Sequence, residues 1–159
     1  MTKPENFMQL SIVAQHSDFM IYQSQQITTA IRLNVGTQTL QKVLQTQPPT
    51  AQQVEDAIVL VEDQIMSNVD VLQPFVSLPL FVSSPALQHI AQLAFAEKTV
   101  QGYQLTTAQT EQLFSRFARV INGYPAKAEG LPETAEFAAY LILIREYLHH
   151  FGFASLMTI

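Results

Sequence analysis

The chain has 159 residues, which is the length of one typical domain. Hydrophobic residues make up 48% of it and charged residues 13%, a composition that excludes a disordered, highly charged protein. With 8 Lys and Arg against 13 Asp and Glu, the formal net charge is −5, so we expect no generic binding to nucleic acid. The absence of cysteine excludes disulfides, thiolate metal sites and a cysteine nucleophile.

The sequence also bears on membrane insertion and location. No apolar segment directly follows the polar residues 1–6, so we expect no secretory signal and predict a cytoplasmic protein. Of the two most apolar stretches, residues 69–82 contain Pro74 and Pro79, and residues 137–148 are too short to cross a bilayer. We therefore predict a single α+β domain over residues 1–159 with no membrane span.

The amino-terminal third has the pattern of short strands. Residues 7–14, 19–23 and 27–33 alternate in polarity or are rich in β-branched side chains, and polar groups separate them. This pattern predicts a three-stranded antiparallel meander. Asn34-Val35-Gly36 ends it, and residues 37–45 then predict a short helix.

Capping patterns predict where the longer helices begin. Thr50 and Gln53, and likewise Thr106 and Gln109, have the spacing of a capping box, in which each side chain bonds the backbone N–H of the other residue. We expect helices from these threonines to about residues 67 and 122. A third helix should begin at Ser84-Pro85, because serine is a good N-cap and proline suits the first helical position.

The segment from Val69 to Ser83 is too apolar for a solvated loop and too rich in proline for a regular helix. It must be covered by other parts of the protein or by a partner. The last helix is predicted from about Glu133 to His150, and residues 153–159 read as a strand that returns to the amino-terminal sheet. The predicted fold is therefore a small antiparallel sheet packed against about four helices.

This last helix is apolar on two sides. Phe137, Tyr140 and Ile144 belong to one stripe, whereas Ile142 and Leu143 lie on the opposite side. Either the helix is sandwiched inside the domain, or its second face meets another subunit. The second alternative predicts self-association or a protein partner, with contacts through the following side chains: Ile142, Leu143, Phe75, Leu78 and Phe81.

Polar groups gather at the end of the same helix. Glu146, His149 and His150 have spacings that place a carboxylate and imidazoles on one side, as in metal sites of helical proteins. A divalent-metal site is one interpretation, with a further ligand drawn from elsewhere in the fold: His16, Glu62, Asp63 or His89. The favoured interpretation is that the histidines interact with the carbonyl end of the helix.

Other motifs are weaker. Arg116 and Arg119 could hold an anion, although a solvated helix face is the more common arrangement. Neither standard glycine-rich phosphate loop is present in the sequence. The main functional prediction is a non-enzymatic binding protein, either a homodimer or an accessory subunit. The alternative is a metal-binding protein or metal-dependent hydrolase that uses Glu146, His149 and His150.

Overall fold

The computed structural model describes residues 3–159, which contain seven strands and seven α-helices. The strands are β1 (Phe7–Ile12), β2 (Ser17–Gln23), β3 (Gln26–Leu33), β4 (Leu80–Val82), β5 (Glu97–Lys98), β6 (Tyr103–Thr106) and β7 (Ser155–Thr158). The helices are α1 (Thr37–Gln41), α2 (Ala51–Met66), α3 (Val69–Leu72), α4 (Pro85–Leu93), α5 (Thr107–Ile121), α6 (Ala126–Glu129) and α7 (Ala135–Phe151). A 3-10 turn, Gln73–Phe75, directly follows α3.

The strands form one mixed sheet in the order β3-β2-β1-β4-β7-β6-β5. Antiparallel pairing of β1 with β2 and of β2 with β3 confirms the predicted meander. At the centre, β1, β4 and β7 are parallel neighbours, and β6 and β5 extend the sheet in antiparallel fashion. The predicted small antiparallel sheet with about four helices is therefore wrong, since residues 3–159 form a seven-stranded mixed sheet with seven helices.

The error has its origin in the proline-containing segment from Val69 to Ser83. This segment divides into α3, the 3-10 turn and the three-residue strand β4, which begins directly after Pro79. The Pro79 carbonyl accepts a hydrogen bond of 2.8 Å from Met8 N, so the chain joins β1 as soon as it leaves the proline. All three residues of β4 are buried, and so short an apolar run carries no alternating pattern.

The predicted helix starts are confirmed. Thr50 and Thr106 each accept a hydrogen bond from the backbone N–H three residues later and form complete capping boxes, and Ser84 caps α4. At the other end of the chain, Gly152 has φ 82°, a left-handed conformation that glycine adopts at little cost and that ends α7.

Helix α7 lies at the centre of the helical layer, where it contacts α1, α2, α4 and α5. Of the two alternatives for its second face, burial within the domain is the one observed, because Ile142 and Leu143 are both 0% exposed. Over residues 3–159, no helix combines the length and the apolar character needed to cross a lipid bilayer.

The two faces of the sheet present different side chains. Leu80, Val82, Leu105 and Leu156 face the core that the helices complete. Because side chains alternate along a strand, the residue next to each of these in its own strand points to the opposite face of the sheet. On that face, strand pairing places Gln9, Phe81, Met157 and Gln104 side by side in one row across β1, β4, β7 and β6.

Candidate functional site

Three side chains from two helices converge near the carboxyl-terminal end of α7. His150 Nε2 lies 2.9 Å from Glu146 Oε2 and 3.3 Å from Glu62 Oε1. One possible ligand atom from each of these residues lies within 4.8 Å of the other two. We refer to Glu62, Glu146 and His150 as the carboxylate–histidine cluster, which joins α7 to α2.

The position of α7 explains why the cluster runs from the interior to solvent. Residues four apart on a helix are neighbours on its surface, so Glu146 and His150 face the same way. Glu146 lies where α7 is still enclosed, and only 3% of its side chain is exposed, whereas His150 reaches the surface with 35% exposed. Glu62 approaches from α2 with 42% of its side chain exposed. The cluster is therefore open to ions and small solutes on its outer side.

Arg145 fixes the orientation of the buried carboxylate. Its Nη1 donates a hydrogen bond of 2.9 Å to Glu146 Oε1, and its Nε donates one of 3.0 Å to Glu111 Oε1 on α5. The guanidinium carbon also lies 4.0 Å from the centroid of the Phe114 ring. Arg145 thus holds one oxygen of Glu146 and leaves the other directed at His150.

Burial raises the pKa of Glu146 above its ordinary value. The neighbouring Arg145 and His150 side chains act against this increase, and the nearby Glu62 carboxylate adds to it. A carboxyl group with a perturbed pKa at the edge of the interior is a feature of functional sites, although structural ion-pair networks also produce one. A cation bound at the cluster would favour the ionised form of Glu146.

The donor set is chemically suited to a divalent cation. Two carboxylates and one imidazole are ligands that Mn²⁺ and Zn²⁺ accept, and carboxylates alone suit Mg²⁺. Three protein ligands would leave further coordination positions for water and a substrate oxygen. The outer, exposed side of the cluster is where such groups would arrive.

The structure brings together part of the metal set predicted from the sequence. Glu146 and His150 meet, and Glu62, one of the four residues expected to supply a further ligand, joins them. His149 is exposed and lies outside the cluster, with its ring centroid 5.0 Å from that of His150. The metal site itself stays a prediction. No local pattern indicated Glu111 as the partner of Arg145, because the two lie 34 residues apart in the sequence.

Arg116 and Arg119, the other predicted polar site, are engaged by their own chain. Arg116 Nη1 and Nη2 donate hydrogen bonds of 2.6 and 2.7 Å to the carbonyl oxygens of Leu93 and Glu129. Arg119 Nε lies 3.2 Å from Glu129 Oε1. Both cations therefore have intramolecular partners.

The residues predicted to contact a partner fall into three environments. Ile142 and Leu143 have no accessible surface. Phe75 is half-buried and packs against the core. Leu78 and Phe81 line an open cavity beside β4 and β7. A contact made through the last helix would therefore have to displace the core.

No protein-family model matches the chain, and no curated protein matches it. Solved structures do match. The Aquifex aeolicus PPX-GPPA enzyme superposes with a TM-score of 0.72 at 16% identity, over 98% of this chain and 54% of that one. An exopolyphosphatase from Cytophaga hutchinsonii superposes with a TM-score of 0.68 at 14% identity, over 99% of this chain and 54% of that one. An exopolyphosphatase-like protein gives a TM-score of 0.61 at 15% identity, over 98% and 55% of the two chains.

At these identities the likeness shows the fold, which is Ppx/GppA-like. The chain spans about half the length of the solved structures it matches. The prediction of a non-enzymatic binding protein is contradicted by this comparison, because the solved structures that share the fold include an enzyme and an exopolyphosphatase. The predicted homodimer or accessory subunit has no support in these findings. The alternative, a metal-dependent hydrolase, agrees better with these structural neighbours.

Proposed function

We propose that the chain is a divalent-metal-dependent hydrolase domain that acts on phosphate esters or phosphoanhydrides, with Glu62, Glu146 and His150 as the cation ligands. The observation that carries the proposal is the convergence of two carboxylates and an imidazole on α2 and α7. The substrate class comes from the structural neighbours, which include a phosphatase and an exopolyphosphatase. A cytoplasmic location remains part of the proposal, in keeping with a sequence that has no cysteine.

The absence of a glycine-rich loop bears on how a phosphoryl group would be held. Without such a loop in the sequence, no row of backbone N–H groups of either standard type is available to surround a phosphate. A divalent cation, when bound, supplies positive charge that can hold the phosphoryl group in place of such a loop, and it lowers the pKa of a coordinated water. The cluster residues position that charge at the protein surface, where a phosphorylated substrate can reach it.

Each residue has a distinct part in this proposal. Glu146 provides a carboxylate whose orientation is set from inside the protein by Arg145. His150 and Glu62 are more exposed and complete the ligand set from α7 and α2. Arg145 is a positioning residue, since it contacts Glu146 on the side away from His150 and is itself fixed by Glu111.

The test is the release of orthophosphate from inorganic polyphosphate and from p-nitrophenyl phosphate by chelator-treated protein, with and without added Mg²⁺ or Mn²⁺. We expect release that depends on the added cation. Replacing His150→Ala or Glu146→Gln should lower it by at least about 10- to 100-fold, which is the loss seen when only a hydrogen-bond partner of a metal ligand is replaced. His149→Ala is the matched control, because His149 is a neighbouring exposed histidine outside the cluster, and this variant should keep wild-type activity.

Two results would overturn the proposal. One is the absence of cation-dependent release by the wild-type chain. The other is a His150→Ala variant that retains full activity. Far-ultraviolet circular dichroism and a thermal melt of each variant distinguish loss of activity from loss of fold, and His150 is exposed enough that we expect its replacement to leave the fold intact.

A further inference from the structure

A second feature of the molecule, independent of the carboxylate–histidine cluster, is a cavity of about 910 Å³. It lies between the two connections that lead into the parallel strands β4 and β7. Residues 76–79 form one wall, and residues 152–154, which follow α7, form the other. Its volume is at the upper end of the range of about 300–1,000 Å³ that small-molecule sites occupy.

The floor of the cavity is built from the sheet face opposite to the one that carries Leu80, Val82, Leu105 and Leu156. Phe81 on β4, Met157 on β7 and Gln104 on β6 are cross-strand neighbours and lie side by side there. The Phe81 ring is held from the far side by an edge contact with Phe7, with the ring centroids 5.8 Å apart. Leu78 extends the apolar surface up one wall. The floor is therefore apolar along β4 and β7 and becomes polar at β6.

Among residues 3–159, no side chain that lines the cavity ionises. Its polar groups are those of Ser77, Gln104 and Ser155. Gln104 Nε2 donates a hydrogen bond of 3.4 Å to Ser155 Oγ, which is long for such a bond. An amide and a hydroxyl together offer more donors and acceptors than one bond uses, so this pair has capacity for a ligand.

These features set the charge of a suitable ligand. Moving a charged group into an apolar cavity without an opposite charge is unfavourable, whereas a hydroxyl or amide can be satisfied by Gln104 and Ser155. Lys3 has its ammonium 5.8 Å from the Phe81 ring centroid, and it donates a hydrogen bond to Gln9 on β1. Lys3 is thus engaged beside the cavity and does not line it.

We propose that this cavity binds an uncharged amphiphile, with an aliphatic body lying on Phe81, Met157 and Leu78 and a terminal hydroxyl or amide bound by Gln104 and Ser155. Leu78 and Phe81 are two of the residues that the sequence indicated as contact residues. The aromatic and thioether side chains of the floor suit an aliphatic chain, since methionine adapts to irregular apolar shapes.

The test uses the full chain and Nile red, an uncharged dye whose fluorescence rises in apolar sites. The competitors are 1-decanol, kept below its solubility limit, and decanoate and decylamine, each kept below its critical micelle concentration. We expect 1-decanol to displace the dye at a concentration at least tenfold lower than either charged competitor requires. Equal displacement by decanoate or decylamine would overturn the proposal.

Three variants tie the binding to the cavity. Ser155→Trp fills it and should weaken dye binding at least tenfold. Gln104→Glu keeps the shape and adds a negative charge, so the preference should change from 1-decanol to decylamine. Gln9→Glu is the matched control, because Gln9 lies in the same row of the sheet but outside the lining, and it should behave as wild type.

Wild-type affinity for the dye in a folded Ser155→Trp variant would overturn the assignment. If that variant fails to give a cooperative melt, the nearly isosteric Gln104→Glu variant decides, and an unchanged order of competitors would then reject the proposal. None of these measurements requires metal or phosphate release, so their result is separate from that of the proposed hydrolase activity.

Discussion

Glu146 Oε2 lies 2.9 Å from His150 Nε2, so a carboxylate that is almost fully buried meets an imidazole at the protein surface. The contact spans one turn of α7. It exists because the middle of α7 is enclosed by the fold, whereas His149 and His150 in its last turn are exposed. The same contact aligns two of the three proposed cation ligands, and it couples the ionisation of Glu146 to the stability of the fold.

The pH dependence of stability should reveal the burial of Glu146. Because burial raises its pKa above the ordinary value of 4.5, the folded state binds this proton more tightly than the unfolded state. The resulting stability is fully present below pH 4.5 and is lost as the pH rises through the folded-state pKa. The side chain of the Glu146→Gln variant cannot ionise. The melting temperature of this variant minus that of wild type should therefore become more positive as the pH is raised from 4 to 7 in metal-free buffer.

Asp18 provides a control for which the pH dependence of stability should have the opposite sign. Its hydrogen bonds with Arg32 hold the pKa of Asp18 below its usual range, so its contribution is present at neutral pH and is lost as the pH falls. Asp18→Asn should therefore be less stable than wild type at pH 7, with a deficit that shrinks on acidification. A difference between wild type and Glu146→Gln that does not change with pH would contradict the account of Glu146.

A second prediction concerns Gly36, where two backbone segments approach each other closely. A Cβ built on this residue would overlap the carbonyl oxygen of Val13 and lie 2.6 Å from that of Ala14. Both carbonyls also accept hydrogen bonds from the first turn of α1, so they cannot move away freely. Gly36→Ala should therefore lower the free energy of unfolding by about 1–3 kcal/mol, as overpacking does.

Urea unfolding at pH 7 measures this effect. Ala14→Gly is a useful companion, because it changes a neighbouring residue without adding atoms at the contact. A Gly36→Ala protein as stable as wild type would mean that the β1–β2 connection yields to the extra methyl group, and the close approach would then have no energetic consequence.

Helix starts were predictable from the sequence because a cap is a local interaction. The hydroxyl groups of Thr50 and Thr106 bond to backbone groups three residues away, and Ser84 does the same before α4. The meander was predictable for a related reason, since its strands follow one another and pair across short connections.

The centre of the sheet was not predictable in the same way. Its parallel pairs join segments that are distant in sequence, and three-residue β4 carries too little pattern to be recognised as a strand. The candidate site shows the same limit. Glu146 and His150 could be paired by helical spacing, but only the packing of α2 against α7 brings Glu62 to them. Likewise, the sequence indicated that α7 has two apolar faces without showing what covers the second.

Burial of that second face makes the last prediction. Ile142 is 0% exposed, so a glutamate in its place would put an unpaired charge in the core. Ile142→Glu should lower the free energy of unfolding by more than about 4 kcal/mol, which is enough to unfold many domains of this size. Val59→Glu is the matched control, since Val59 is 51% exposed on α2 and its replacement should change stability by less than about 0.5 kcal/mol. Urea unfolding together with size-exclusion chromatography distinguishes the two explanations of the apolar face. An Ile142→Glu protein that stays folded, with only its association state changed, would show that this face is a subunit contact and not part of the core.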